Sequence, residues 1–303
     1  MVKLETSNLV RKPRYLILGA SGLLGSRVFE NLKDNFETFG TFHNSATNQT
    51  EYMQRIDLAN SDDVKNLVER IKPSHIVNCA GLTNVEKCEL LPEASWKLNA
   101  EIPFRLAKLT SELDIRFIHI STDHFASIKN SPRGESDILY GINQYGFTKI
   151  MAEKLILREN PKSLILRTNF FGTSDLKRES LLGFAIERIR SGKLIEGFDD
   201  VIFSPVGMGQ ICQFLRSSQI TNAIGILNFA SNMPLSKYEF MVLVAKVMGM
   251  PKAKIARSSI NTSSLTAKRP SYLALDSYKL NQELHFALPR IEEMIHLEIS
   301  RTI

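Results

Sequence analysis

Along the first half of the chain, short apolar runs alternate with longer segments whose apolar positions recur at the helical period. The runs at 15–18, 37–42, 52–56, 75–78, 116–120 and 163–167 read as strands. The amphipathic stretches at 23–33, 62–71, 92–113 and 144–160 read as helices. Strand, helix, strand at this spacing predicts an α/β fold, a doubly wound parallel sheet with right-handed crossovers and helices on both faces. After Gly172 the rhythm changes to a helix at 181–191, a strand at 193–197, a helix at 208–217 and then a mixed segment rich in Ser, Lys and Pro. This predicts a smaller mixed α/β C-terminal lobe, made of 173–197 and 226–303, beside a sheet domain of 14–172 to which 198–225 returns. Neither an internal repeat nor a low-complexity tract interrupts the pattern.

An open sheet of this kind binds its ligand beyond the carboxyl ends of its strands, and the chemistry-bearing residues fall there. Gly19, Ala20, Ser21, Gly22, Leu23, Leu24 and Gly25 follow the first strand and open the first helix. Gly19 permits a tight turn, Gly22 lets a pyrophosphate approach the backbone, and Gly25 lets helix and strand pack closely. The phosphate then meets free N–H groups at the positive end of a helix. The end of the second strand, where an NAD-preferring site carries an acid, reads Phe42-His43-Asn44-Ser45 instead. That leaves room for a 2′-phosphate bonded by His43 and Asn44, which can equally be plain loop residues. The reading leans to NADPH, with NADH as the other choice. Asp57, followed by Leu58, stands just past the third strand, either against an adenine or as a helix cap. Cys79, Ala80 and Gly81 end another strand with small residues and backbone groups turned to the cofactor.

Tyr145 and Lys149 lie four residues apart on a predicted helix, on one face. A free phenol, with a pKa near ~10, is a poor acid–base partner at neutral pH, and a neighbouring cation favours its ionised form. The pair alone is common in helices. Here it is accompanied by Ser121-Thr122-Asp123 at the end of an apolar strand, where Thr122 can bond a substrate carbonyl beside Tyr145.

Taken together, the GASGLLG loop, Ile76 to Thr83, the Ser-Thr-Asp tripeptide and the Tyr-Gly-Phe-Thr-Lys box resemble the extended short-chain dehydrogenases. The later segments Leu166 to Gly172, Phe198-Asp199-Asp200 leading to Ser204-Pro205, and Arg269-Pro270 narrow the resemblance to the dTDP-4-dehydrorhamnose reductase group. The resemblance runs nearly end to end. It implies a Rossmann sheet and delivery of hydride from NADPH or NADH to the C4 ketone of a nucleotide-linked 4-keto-6-deoxysugar. Tyr145 would protonate the developing alkoxide, Thr122 would position the carbonyl, and Lys149 would lower the Tyr145 pKa and hold the ribose. Thr168 would face the cofactor, and Thr83, Asp123, His124, Asn169 and Phe170 would map near the sugar. The Tyr usual after Ser-Thr-Asp is His124 here, and the usual pocket Trp is Phe170. His124 can be a second acid–base group, a substrate contact or a structural residue. Trp96 reads as packing. Arg269 can hold a substrate phosphate or lie in a surface loop.

Charge and cysteine content narrow the class further. The net charge of +6 is spread along the chain without a basic run interleaved with aromatics, so no nucleic-acid partner is expected. The N-terminal stretch MVKLETSNLVRKPR is basic but has no apolar core, and no window is apolar enough for a bilayer span, so neither secretion nor a membrane is expected. Cys79, Cys88 and Cys212 show no metal or disulfide spacing, which fits a reducing cytoplasm. A homodimer is compatible with this reading, although a single sequence fixes no oligomeric state. Two rivals remain open: a nucleotide-sugar epimerase or dehydratase on the same scaffold, and a cofactor-binding regulatory subunit such as the β subunit of methionine adenosyltransferase.

Overall fold

A computed structural model describes residues 12–44, 49–128, 131–173 and 180–301. The basic N-terminal stretch through Arg11, and Ser45 of the loop after the second strand, lie outside the described residues. In chain order the first half comprises β1 (Arg14–Leu18), α1 (Leu23–Leu32), β2 (Glu37–Phe42), β3 (Met53–Arg55), α2 (Ser61–Ile71), β4 (His75–Asn78), α3 (Val85–Leu90), α4 (Pro92–Trp96), α5 (Ile102–Glu112), β5 (Arg116–Ile120), α6 (Gln144–Glu159) and β6 (Leu164–Arg167). The second half adds β7 (Phe170–Phe171), α7 (Leu181–Arg190), β8 (Ile195–Phe198), β9 (Ile202–Phe203), β10 (Val206–Gly207), α8 (Met208–Arg216), α9 (Gln219–Asn222) and β11 (Gly225–Asn228). It closes with β12 (Leu235–Ser236), α10 (Lys237–Val247), β13 (Ile255–Ser258) and α11 (Ile291–Ser300).

Seven strands pair in parallel in the order β11-β6-β5-β4-β1-β2-β3, the doubly wound sheet expected from the strand and helix rhythm. The order reverses between β1 and β4, so the loops after these two strands open one crevice. Period-2 alternation divides the core. Leu16 and Leu18 pack with Ile76, Phe117 and Ile165 against the helices on one face. Tyr15 and Ile17 join Val77, Ile118 and Leu166 on the other face, in a cluster that continues into Phe240 and Val244 of α10 and Met294 of α11. That continuity binds the C-terminal helices to the sheet through shared apolar burial.

Local chemistry explains most boundaries. The Asn60 side chain accepts the N–H groups of Asp62 and Asp63 and starts α2, and two acids occupy its first turn. Asn143 does the same for α6, accepting from Gly146 N–H. The stretch expected as one helix at 92–113 is α4 and α5 joined through a π-helical turn at Lys97–Glu101, and the separate α3 precedes it. The last sheet strand, β11, extends to Asn228, past the expected boundary at 225, because its backbone completes the ladder on the outer side of β6. The C-terminal segment that read only as mixed contains α10, opened by a Ser236–Glu239 capping box, and α11. Outside the main sheet, β13 pairs in parallel with β8 and β12 antiparallel with β9.

Candidate active site

The glycine loop has the geometry a phosphate-binding turn needs. Gly19 adopts φ +77°, and a Cβ placed there would stand 2.9 Å from the backbone of Ala80, the second residue beyond β4. Only glycine allows the loop after β1 and the loop after β4 to approach this closely. Gly22 caps α1 without any side-chain bond, which leaves the first N–H groups of that helix facing the crevice. A Cβ on Gly25 would collide with the carbonyl of Gly19, so this glycine serves packing of helix on loop. These features fit a dinucleotide.

A cavity of about 400 Å³ opens at the crevice. It gathers most residues singled out in the sequence: Gly22, Leu23 and Leu24 from the loop; Cys79, Ala80, Gly81 and Thr83 beyond β4; Thr122, Asp123 and His124 beyond β5; Tyr145 and Lys149 of α6; and Thr168, Asn169 and Phe170 beyond β6. Ser21, half-buried, is not among the residues that line it. His43 and Asn44 are exposed at the end of β2, away from this cavity, with Asp57 and the half-buried Leu58 beyond the neighbouring β3. Asp57 accepts the Ala59 N–H at 2.9 Å, and the cap of α2 is Asn60.

Arg55 and Asn99 are among the residues that escaped the sequence reading. Arg55 stands opposite Phe42 in the β2–β3 register, and its Nε donates to the His43 carbonyl at 3.2 Å, bringing a guanidinium to the end of β2. Linear separation concealed it; the parallel pairing of two strands placed it. Asn99, in the π-helical turn, accepts the Leu82 N–H at 2.8 Å and donates to the Leu82 carbonyl at 2.9 Å, fixing the loop after β4. A polar residue inside an apolar helical stripe was its only signal.

At the centre, Tyr145 and Thr122 line the same cavity, and burial pushes the phenol up to about 12, with Thr122 opposing the rise and Asp123 adding to it. The Thr122 hydroxyl also accepts the His124 N–H at 3.1 Å, which orients it. Lys149, expected to act on Tyr145 and a ribose, has its polar partners on β5. Its Nζ donates to the Ile120 carbonyl at 2.8 Å and lies 3.0 Å from His119 Nε2, so α6 presses the ammonium end against β5 while Tyr145 faces the cleft. Burial lowers Lys149 to about 8, against the pull of Glu153. Glu153 itself is buried and holds Arg167 at 2.7 Å, while the Ser121 hydroxyl donates to it at 2.6 Å.

His124 is neutral. Asn143 Oδ1 is spent on the Gly146 N–H, so its amide hydrogens serve the Lys268 carbonyl and His124 Nε2, 2.9 Å away. Burial, with Arg269, Lys237 and Arg133 nearby, holds the imidazole down to about 3. Its ring lies edge-on to Tyr145 at 5.7 Å. Asn169 donates to Asp123 at 2.8 Å.

His124 and Asn169 also line a second cavity of about 400 Å³, walled by Phe184, Phe198, Lys237 and Arg269. Arg269 pairs there with Glu86 at 3.0 Å. Lys237, which the sequence did not flag, lies over the Phe203 ring at 3.3 Å and is lowered to about 8 by burial. Among the described residues no group of side chains has metal-site geometry, and no helix is long and apolar enough to cross a membrane. The three cysteines are free thiols.

Comparison with known proteins agrees with this geometry. The chain is 30% identical over 288 residues to dTDP-4-dehydrorhamnose reductase of Aggregatibacter actinomycetemcomitans, covering 89% of this chain and 92% of that protein. It is 27% identical over 275 residues to the methionine adenosyltransferase 2 subunit beta of Danio rerio, covering 88% of this chain and 84% of that one. The crystal structure of dTDP-4-dehydrorhamnose reductase from Bacillus anthracis, in complex with NADP, superposes with a TM-score of 0.83 at 22% identity, over 96% of this chain and 99% of that one. Residues 13–302 match the RmlD substrate binding domain, and the chain belongs to that family.

Proposed function

We propose that the protein is a cytoplasmic NADPH-dependent reductase that converts the C4 ketone of a nucleotide-linked 4-keto-6-deoxysugar to the alcohol. The observation that carries the reading is the meeting of Thr122 and Tyr145 at the wall of a cavity that begins at an uncapped helix N-terminus. Gly22, Leu23 and Leu24 would hold the pyrophosphate, Ala80 and Gly81 the adjoining backbone surface, and Asp57 an adenine amine. Arg55, His43 and Asn44 stand where a 2′-phosphate would lie, and no acid occupies the end of β2, which favours NADPH over NADH. The bound nicotinamide supplies the hydride.

The chain's own groups do the rest. Thr122 directs its hydroxyl toward the carbonyl oxygen that Tyr145 also reaches, and Tyr145 gives its proton to the oxygen as negative charge develops there. A phenol raised to about 12 is protonated at neutral pH, the state a proton donor needs. Thr83, Asp123, His124, Asn169 and Phe170 border the sugar, and Lys237 and Arg269 offer cations to the diphosphate half in the second cavity. The neutral His124, unable to charge near pH 7, serves as a contact and not as a second acid.

The relative in the methionine adenosyltransferase complex supports a second reading, a cofactor-binding regulatory subunit. One experiment separates them. NADPH oxidation is followed by absorbance with enzymatically prepared dTDP-4-keto-6-deoxysugars, alongside NADH. Turnover is expected; tight cofactor binding with no oxidation across the panel, and capture of a synthetase partner, would favour the regulatory subunit.

A further inference from the structure

The bonds around His124 fix where its one proton sits. Asn143, 7% exposed, caps α6 by accepting the Gly146 N–H at Oδ1, 2.7 Å away. Its Nδ2 therefore has only hydrogens to offer, one to the Lys268 carbonyl at 2.7 Å and the other to His124 Nε2 at 2.9 Å. A ring nitrogen that accepts carries no hydrogen, and a neutral imidazole has one N–H, so the proton of His124 is on Nδ1. An imidazolium would set a second N–H against that of Asn143, and burial, with Arg269, Lys237 and Arg133 nearby, already disfavours it.

Nδ1 has a different setting. Among the described residues nothing bonds it, and the atom is not sealed inside the protein. The ring borders both cavities, the one that Thr122 and Tyr145 line and the one walled by Lys237 and Arg269. It lies edge-on to Tyr145 with 5.7 Å between ring centroids, and the His124 N–H donates to the Thr122 hydroxyl at 3.1 Å. A rigid donor therefore stands beside the place where a carbonyl oxygen would meet Thr122 and Tyr145. A ligand that offers no acceptor there leaves a desolvated N–H unpaired, which is how a polar site rejects an analogue lacking one oxygen.

We infer that His124 is a specificity-determining residue whose Nδ1–H donates to an oxygen on the ring carbon next to the ketone, so that the site selects sugars hydroxylated beside the reacting carbon. This rests on the ketosugar reading proposed above. In a 4-keto-6-deoxysugar C5 carries the methyl group, so the hydroxyl beside the ketone is the one on C3. A methylene at C3 leaves Nδ1–H without a partner, and an ammonium there has no lone pair to receive it. Asp123, in the same wall, does not substitute for His124: a carboxylate accepts, and Asn169 already donates to it at 2.8 Å.

The test titrates dTDP-4-keto-6-deoxyglucose and dTDP-4-keto-3,6-dideoxyglucose into the full-length protein saturated with NADP⁺, which has no hydride to give, so binding is read apart from turnover. The parent is expected to bind the 3-hydroxy sugar about five- to thirty-fold more tightly, and His124→Phe, which keeps the edge contact with Tyr145, to bind the two within about two-fold. Equal binding by the parent, or an undiminished preference in the variant, overturns the inference. Nitrogen-15 and proton shifts of the histidine-labelled parent need no variant. They should show His124 protonated at Nδ1, with that proton moving downfield on addition of the 3-hydroxy sugar and not of the 3-deoxy one. The Nε2 tautomer, or the same response to both sugars, overturns it as well. If neither sugar binds, the ketosugar reading fails and the inference falls with it; if both bind equally, that reading survives and His124 is removed from it.

Discussion

Replacement of Arg55 by Ala separates recognition of the 2′-phosphate from binding of the rest of the cofactor. Arg55 is exposed, and its Nε is held by the His43 carbonyl at the end of β2, where no acid stands. A hydrogen bond to a charged group contributes about 1.5–3 kcal/mol when well formed. Exposure and counter-ions reduce that, since the Debye length is about 10 Å at 0.1 M salt. A net loss of about 1–2 kcal/mol corresponds to roughly five- to thirty-fold in the dissociation constant. The prediction is that Arg55→Ala weakens NADP⁺ binding by that factor at low salt and leaves NAD⁺ within about two-fold. Isothermal titration with both nucleotides, at low and high salt, measures it. The gap between parent and variant should close at about 1 M salt, where the Debye length falls to about 3 Å. An equal loss for both nucleotides would mean that Arg55 supports the β2–β3 edge instead of the phosphate. No loss for NADP⁺ at low salt would remove Arg55 from the site.

Tyr145→Phe keeps the ring and its edge contact with His124 but removes the proton donor, so kcat should fall by about 10²- to 10⁴-fold while NADPH titrates as in the parent; steady-state and binding measurements check both halves. Glu153→Gln leaves Arg167 buried without its counter-charge, and urea unfolding should show a loss of about 3–5 kcal/mol; a loss under about 1 kcal/mol would contradict the burial seen for this pair. His75, stacked on Tyr15 at 4.5 Å, is lowered to about 4 by burial and then by Arg116, so the unfolded chain binds its proton first as pH falls. The stability this neutral histidine contributes is present above about pH 6.5 and is lost as pH falls toward 4, and urea midpoints of His75→Phe should therefore decline less than the parent's over that interval.

The sheet was legible because its signals are local. Alternation at Tyr15 to Leu18 and the glycines after it specify a strand, a turn and a helix within a short stretch, and β2, β4 and β5 fall where the apolar runs put them. The C-terminal helices were harder to read. α10 carries apolar residues around much of its circumference, including the exposed Val242 as well as the buried Phe240 and Val244, so it shows little periodicity. Its capping box at Ser236 and Glu239 was the available sign. The π-helical turn leaves no periodic mark either, because one extra residue per turn looks like a small phase slip.

For the site, membership was legible and charge state was not. Glycine turns and strand-end residues must converge on the crevice between β1 and β4, so naming them from the sequence amounts to knowing the topology. The spacing of Tyr145 and Lys149 places both on one side of α6, yet a shared helix face does not settle which partner each side chain meets. Tyr145 begins the helix beside the open cleft, whereas Lys149, one turn deeper, reaches the buried end of β5. What it finds there is decided by Asn78 and His119, which are 71 and 30 positions away in the chain. Motif spacing therefore brings Tyr145 to the cavity wall, while the electrostatics there are set by strand neighbours that no window around the motif contains.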